Sequence, residues 1–256
     1  MKALFISLLA IISFRGQAAI DIYFLPGAHF NGNIYYDLAA YFPGSNVMSM
    51  PNHARFPTPE FNKSRTLKVY AESVCRFMKG PSIVVGHSQG GAVLNQMLGL
   101  CPDKVKGIIY IAAAIPFPGE KPFDLLGSAD DEYYLKAVVA NEERGLFMIE
   151  DMAAFIEGFA HDASTGLKQR VGYIAINEPI APSNSVLTFD LAKLQSIPKL
   201  AIKTAHDRII TPETQQKYLI RLKNVEIVEV ASGHLPMITR PKELAAIISK
   251  FISKLL

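Results

Sequence analysis

The chain contains a five-residue motif, Gly86-His87-Ser88-Gln89-Gly90, that restricts its fold more than any other stretch. A β-branched run, SIVVG, overlaps its start at Gly86, and a run with apolar residues at nearly helical spacing, GGAVLNQMLGL, overlaps its end at Gly90. The pattern G-x-S-x-G between a buried strand and a helix is typical of a nucleophile elbow, whose strained turn presents the serine hydroxyl. The alternative is a glycine-rich turn without chemistry. A serine alone is a poor nucleophile, so the rest of the chain must supply a base and an acid.

Apolar runs alternate with amphipathic runs over most of the 256 residues, which suffice for one large domain. This alternation predicts the α/β class, with a mostly parallel sheet covered by helices on both faces. We expect residues 117–187 to break the pattern as a helical cap, made of helices and loops, inserted in a core of residues 19–116 and 188–256. The predicted strands lie within 20–27, 46–53, 82–86, 105–116, 198–207 and 224–234, and the predicted helices within 64–80, 90–100, 211–222 and 241–256.

The N-terminus has the layout of a secretory signal peptide. One lysine is followed by an apolar stretch from Ala3 to Phe14, and cleavage is expected after Ala18 or Ala19. We therefore assign residues 1–18 as a signal peptide and expect a periplasmic or secreted protein without a stable membrane anchor after cleavage. The alternative is an uncleaved N-terminal helix or anchor.

Charge and cysteine content restrict the partners and the redox state. The formal net charge is +3, and the sequence contains no basic run or stripe, which argues against a nucleic-acid partner. Cys75 and Cys101 both lie on apolar faces of predicted helices, on either side of the SIVVG strand. In an exported protein they could form a disulfide, and the alternative is two buried thiols.

Two polar residues follow later apolar strands and complete a candidate catalytic triad. Asp207 ends the run KLAIKTAHD, and His234 follows the last predicted strand. Chemistry in open α/β sheets gathers at the carboxyl ends of strands, and the chain order Ser88, Asp207, His234 is that of a known serine triad. The alternatives are an ion pair between Asp207 and Arg208, a plain loop role for His234, and His206 as the rival base.

The predicted chemistry also needs two N–H donors for the developing oxyanion. The backbone of Gln89, directly after the nucleophile, is the first candidate. The second is the backbone of Ala28, in the loop LPGAHFNGNIYYDL after the first strand. A glycine-rich turn without this role is the alternative.

Four segments together resemble α/β-hydrolases of the small-esterase branch, which includes plant methylesterases, hydroxynitrile lyases and bacterial carboxylesterases. PGAHFNGNIYYDL resembles the oxyanion loop of that branch, with Pro26 in place of the usual histidine, and VGHSQGG its elbow. HDRIITPETQQ resembles its acid loop and SGHLPMITRPKEL its histidine loop. The resemblance implies the α/β-hydrolase fold with a cap and no metal or organic cofactor. The lyases carry a lysine after the histidine and a threonine in the oxyanion loop, where this chain has Leu235 and Gly27, so hydrolysis is favoured.

We therefore expect a serine esterase that acts on small, apolar carboxylic esters through an acyl-enzyme. Its rivals are a non-catalytic binding protein on the same fold and an enzyme that uses the same machinery for acyl transfer, thioesters, amides or cyanide release. An apolar substrate is suggested by cap side chains that could equally be packing residues: Phe147, Met148, Met152, Phe155 and Phe159.

Overall fold

The structure is a computed structural model that describes residues 20–51 and 57–256. The signal peptide predicted for residues 1–18 lies outside the described residues, so it stays a prediction. No helix within the described ranges combines the length and the apolar character that crossing a bilayer requires.

Strands of two kinds occur in the described residues. Six of them form one wholly parallel sheet in the order β2-β1-β3-β4-β8-β9, and three form a small antiparallel sheet in the order β5-β6-β7. In chain order they are β1 (Ile22–Leu25), β2 (Asn46–Val47), β3 (Ser82–His87), β4 (Val105–Ile111), β5 (Val138–Asn141), β6 (Leu146–Ile149), β7 (Glu178–Pro179), β8 (Lys199–Thr204) and β9 (Val225–Val230).

The α-helices of the described ranges connect these strands. They are α1 (Tyr36–Ala39), α2 (Pro59–Lys63), α3 (Leu67–Phe77), α4 (Gln89–Met97), α5 (Ser128–Ala137), α6 (Met152–Phe159), α7 (Thr165–Ile174), α8 (Leu191–Ser196), α9 (Pro212–Leu219), α10 (Pro236–Thr239) and α11 (Pro241–Ser253). Short 3₁₀ turns occur at Gly32–Tyr35 and Pro102–Lys104.

Local sequence explains where the central elements begin. The strands β3 and β4 carry Ile83, Val84 and Ile108, which are fully buried, as expected of strands covered on both faces. Helix α3 begins where the Thr66 side chain accepts a hydrogen bond from the Val69 N–H. Because the six strands of the main sheet are parallel, their carboxyl ends lie at the same edge of the sheet. The polar residues of the candidate site follow these strand ends.

The predicted α/β class is confirmed, and each strand predicted for the main sheet is present, although usually shorter than its apolar run. Residues 117–187 differ from the prediction of helices and loops, because they hold the sheet β5-β6-β7 as well as α5 to α7. Those strands are two to four residues long, and β6 is only partly buried along its whole length. The β6 sequence LFMI is apolar, but a run of four residues cannot be told from a piece of a buried helix by its periodicity alone.

The two cysteines are joined. A disulfide links Cys75, on α3, to Cys101, with 6.1 Å between their Cα atoms, so of the two alternatives the structure has the bridge. The expectation that both lie on helices is wrong for Cys101, because α4 ends at Met97. Cys101 follows in a turn, where its N–H donates to the Met97 carbonyl at 2.7 Å.

Candidate active site

Ser88 occupies a strained turn between β3 and α4. Its backbone has φ 51° and ψ −126°, a conformation that residues other than glycine rarely adopt. A Cβ on Gly86 would lie 2.7 Å from the Gly90 carbonyl oxygen, and one on Gly90 would lie 2.6 Å from the Leu25 carbonyl oxygen. The two glycines of the motif are therefore required by the close approach of backbone on both sides of the serine, as in a nucleophile elbow.

The carboxylate of Asp207 is buried and fully engaged. Its Oδ1 accepts hydrogen bonds from the backbone N–H groups of Ile209 at 2.8 Å and Ile210 at 3.0 Å. Its Oδ2 accepts one from the Thr204 hydroxyl at 2.8 Å and lies 2.8 Å from Nδ1 of His234. These donors hold the carboxylate in one orientation, with Oδ2 directed at the imidazole.

The contact with Asp207 also assigns the tautomer of His234. Because a carboxylate only accepts, Nδ1 carries the proton, and Nε2 is left with a free lone pair. Within the described part of the chain, the buried Nε2 atom has no hydrogen-bond partner. The imidazole is thus oriented by Asp207 with its basic nitrogen available.

The structure separates the rival interpretations of the triad. Nε2 of His87 lies 2.9 Å from the carbonyl oxygen of His234, which makes it a donor to the loop that carries the base. His206 is exposed, whereas His234 is buried beside Asp207. Arg208 pairs with a cap carboxylate, Glu157, rather than with Asp207. Of the candidate partners, Asp207 and His234 are the pair that the fold brings together.

Both predicted oxyanion donors lie beside the elbow. Gln89 is the first residue of α4, so its backbone N–H is at the helix N-terminus. The loop after β1 passes so close that a Cβ on Gly27 would lie 2.6 Å from the Ser88 Cβ. Ala28, the next residue, lines the same cavity as Ser88. Glycine at position 27 therefore allows the loop to approach the nucleophile.

A cavity of about 240 Å³ opens at Ser88 between the core and the cap. Its walls are mainly apolar, and two of the five cap residues singled out from the sequence, Phe147 and Phe159, line it, whereas Phe155 is buried against the rings of Phe30 and Phe159. The lining residues are Ala28, Ser88, Phe123, Leu126, Asp130, Asp131, Tyr134, Leu135, Phe147, Phe159, Ser183, Ile209 and Ile210. Among the described residues, no three His, Cys, Asp or Glu side chains are grouped so that they could hold a metal ion.

A neutral pair, His29 and Tyr134, joins the loop after β1 to the cap. Nδ1 of His29 lies 2.9 Å from the Ile176 carbonyl oxygen and therefore carries the proton. Nε2 accepts from the Tyr134 hydroxyl at 2.8 Å. Burial lowers the pKa of His29 to about 4 and raises that of Tyr134, so both side chains are uncharged at neutral pH. Burial likewise holds the pKa of His87 well below its usual range, so the side chain next to the His234 ring is uncharged.

Acidification should destabilise the fold through His29. Its pKa is about 4 when folded and about 6.5 when unfolded, so the unfolded chain binds the proton first. Above pH 6.5, His29 is neutral in both states and the free energy of unfolding keeps its full value. As the pH falls from 6.5 towards 4, protonation of the unfolded chain lowers the free energy of unfolding by about 3 kcal/mol. Urea unfolding at several pH values measures it. His29→Gln should flatten the pH dependence, whereas the exposed His206→Gln should not; equal slopes in all three proteins would contradict the assignment.

Sequence reasoning missed the cap residues that hold the site. Glu178 is buried and accepts hydrogen bonds from the Gln89 side chain at 3.0 Å and the Tyr70 hydroxyl at 3.3 Å. Asp130 is buried and accepts from the N–H of Thr211 at 2.7 Å, at the start of the helix after the acid loop. The signal in the sequence was weak, because Asp and Glu side chains are almost never fully buried unless they are paired, and the partners of these two lie far away along the chain.

Comparisons with known proteins agree with this geometry. A model described as "Alpha/beta hydrolase family" matches residues 22–247. The chain is 25% identical over 210 residues to "Putative methylesterase 12, chloroplastic" of Arabidopsis thaliana, a match that covers 75% of this chain and 59% of that protein. The chain thus spans about six tenths of the length of the first curated relatives it matches.

A bacterial relative is closer in length. The "Pyrethroid hydrolase" of Sphingobium wenxiniae is 25% identical over 190 residues, which cover 68% of this chain and 64% of that protein. Among solved structures, a pyrethroid hydrolase from Sphingobium faniae superposes with a TM-score of 0.79 at 23% identity, over 91% of this chain and 96% of that one. At this identity the structural similarity shows the fold.

Proposed function

The chain belongs to the alpha/beta hydrolase family and has its fold, and on this premise we propose that it is a serine hydrolase that cleaves carboxylic esters. One observation carries the proposal. Asp207 holds the imidazole of His234, and the Nε2 atom of this imidazole has no partner among the described residues. The same ring contacts the ring of His87, which directly precedes Ser88 with its strained backbone. A buried, unpaired basic nitrogen costs stability, which a catalytic role for it explains.

In the proposed first half-reaction, the Ser88 Oγ attacks the ester carbonyl carbon while Nε2 of His234 takes the hydroxyl proton. Asp207 stabilises the imidazolium that forms. The backbone N–H groups of Ala28 and Gln89 donate to the oxyanion of the tetrahedral intermediate. The intermediate collapses when the bond to the alcohol oxygen breaks and Nε2 returns its proton to that oxygen. An acyl-enzyme and a free alcohol result.

The second half-reaction repeats the same steps with water. Nε2 of His234 takes a proton from water, whose oxygen attacks the acyl carbon, and a second tetrahedral intermediate forms. Its collapse breaks the bond to the Ser88 Oγ, which receives the proton. The carboxylic acid leaves and the free enzyme is restored.

The proposed substrates are small esters with an apolar acyl or alcohol group. The cavity at Ser88, about 240 Å³, is smaller than the roughly 300–1,000 Å³ typical of sites for drug-sized ligands. Aromatic and aliphatic side chains of the cap, such as Phe147 and Leu126, make up six of its thirteen lining residues. The relatives named as a methylesterase and a pyrethroid hydrolase support the ester class.

A panel of p-nitrophenyl esters tests the proposal on the purified protein. We expect the highest kcat/KM for short or medium unbranched acyl chains and at least a tenfold lower value for palmitate and for a charged succinate half-ester, because an unpaired carboxylate is costly to bury. Phe147→Ala should shift the preference to longer chains by enlarging the cavity, whereas Tyr173→Ala, at a side chain 91% exposed, should not.

The panel also separates the rival functions. Preference for the charged ester would contradict the apolar pocket. Folded protein that hydrolyses none of the esters, but is stabilised against heat by a small apolar ligand, would favour a binding protein instead. Faster release of p-nitrophenol with added alcohols, with new esters as products, would favour acyl transfer.

We further propose that the protein is exported to the periplasm or the medium. The disulfide between Cys75 and Cys101 supports this, because disulfides persist in oxidising compartments. The signal-like pattern of residues 1–18 agrees with it. Fractionation of the producing cells followed by intact-mass analysis should find the chain outside the cytoplasm, beginning at residue 19 or 20. Full-length chain confined to the cytoplasm would contradict export.

A further inference from the structure

The turn between α6 and α7 contacts the loop that carries His234, and the proposed mechanism uses none of its side chains. Oδ2 of Asp162, in this turn, accepts a hydrogen bond from the Gly233 N–H at 2.9 Å and another from the Ser232 hydroxyl at 3.1 Å. These two donors are the residues directly before His234. A cap carboxylate thus binds the backbone next to the proposed base.

The contact is closely fitted. A Cβ on Gly233 would lie 2.7 Å from Oδ1 of Asp162 and 2.9 Å from Cε1 of His161, so a larger residue at position 233 would displace the side chains of the cap turn. The buried Ser232 extends the contact on its far side, where its Oγ lies 2.8 Å from the Thr239 hydroxyl. Asp162 therefore completes a chain of hydrogen bonds that runs from the cap through the histidine loop.

Asp162 is half-buried, and the burial of one of its carboxylate oxygens favours a role beyond stability. Its Oδ1 is buried and has no hydrogen-bond partner among the described residues, an arrangement that costs free energy. Hydrogen bonds to a carboxylate are about twice as strong as neutral ones, so Oδ2 fixes the loop firmly. A displacement of a catalytic group by about 1 Å can lower a rate by about 10²-fold. The rate that is kept by holding the base in position thus offsets the free-energy cost of the unpaired Oδ1.

We propose that Asp162 is a positioning residue of the ester hydrolysis, which holds the His234 loop so that the imidazole meets both Asp207 and the Ser88 hydroxyl. The inference deepens the proposed function and rests on it. It makes the cap a part of the catalytic machinery as well as the wall of the cavity, because the turn between α6 and α7 must be in place before the base is.

Kinetics of Asp162→Ala test this role. We expect kcat for a p-nitrophenyl ester to fall by about 10- to 100-fold while KM changes less than about threefold, because the substrate cavity is left intact. Asp162→Asn keeps one acceptor oxygen and should recover part of kcat. The matched control is Asp151→Ala in the same cap, which removes a carboxylate that accepts from the Ala154 N–H at 2.9 Å and should leave kcat unchanged.

A spectroscopic readout tests the position of the base without turnover. The Nδ1 proton of His234, bonded to the Asp207 carboxylate, should give a far-downfield proton resonance in the wild type and in Asp151→Ala. In Asp162→Ala it should broaden or vanish. If that variant does not fold, Ser232→Ala, which removes one of the two donors, should give a smaller change of the same kind.

The outcomes are distinct. Wild-type kcat together with an unchanged resonance in Asp162→Ala would overturn the positioning role, as would an equal loss in Asp151→Ala. A wild type that hydrolyses no ester would overturn the proposed function, and the resonance would still decide whether Asp162 holds the histidine loop.

Discussion

We expect replacement of Ser88 by alanine to lower kcat for a small p-nitrophenyl ester by about 10⁴-fold or more, with the fold intact. The reason is that no acyl-enzyme can form without the Oγ, and the remaining oxyanion donors and cavity give only residual catalysis. The strained backbone at φ 51° tolerates alanine no worse than serine, so stability should change little. Steady-state kinetics beside a thermal unfolding curve measures both quantities.

The matched control for this variant is Ser82→Ala, at the other end of the same strand. The Ser82 hydroxyl is buried and donates to the Gly80 carbonyl at 2.8 Å, so this variant also removes a buried serine hydroxyl, but away from the site. We expect its kcat to stay within about twofold of the wild type. Retention of more than a tenth of wild-type kcat in Ser88→Ala would exclude Ser88 as the nucleophile.

Asp207→Asn should lower kcat by about 10⁴-fold through the tautomer of His234. If the asparagine oxygen keeps the hydrogen bonds from the Ile209 and Ile210 N–H groups, its amide nitrogen replaces Oδ2 and opposes Nδ1 of the imidazole. The ring then carries its proton on Nε2, which can no longer accept one from Ser88. The same kinetic assay measures the loss, and KM should change little.

Asp190→Asn provides the control for that change. Asp190 is an exposed residue that caps the N-terminus of α8, where its Oδ1 accepts a hydrogen bond from the Ala192 N–H at 2.8 Å. Asparagine caps a helix N-terminus equally well. This variant should leave kcat unchanged. An Asp207→Asn enzyme with nearly full activity would mean that another group orients the base.

The parts of the site that the sequence predicted are those fixed by local pattern. Ser88 lies in a strand-to-helix turn with Gly86 and Gly90 two positions to either side. Each of these glycines is needed because another part of the backbone lies close to it. Asp207 follows the buried strand β8 and His234 follows the edge strand β9, and parallel strands bring their carboxyl ends to one edge of the sheet. The pairing of these two residues follows from topology, which the alternation of strands and helices already implies.

The parts that the sequence did not predict depend on contacts between distant segments. Asp162 meets Gly233 across 71 positions, and Glu178 meets Gln89 across 89. No local pattern distinguishes such an acid from one in solvent, because its partners are chosen by how the cap packs on the core. The strands β5 to β7 were not predicted for a related reason. They are stabilised by hydrogen bonds to each other, and a sequence of two to four residues does not show that such pairing occurs.

The proposed mechanism requires a covalent acyl-enzyme on Ser88, and mass spectrometry can detect this intermediate directly. The wild type is mixed with excess p-nitrophenyl butyrate and quenched in acid during the initial burst, and the protein is analysed by intact and peptide mass. We predict a mass increase of one butyryl group in place of one hydrogen, located on Ser88 and missing in Ser88→Ala. Hydrolysis of the ester with the adduct on another residue, or with the same burst in Ser88→Ala, would contradict it.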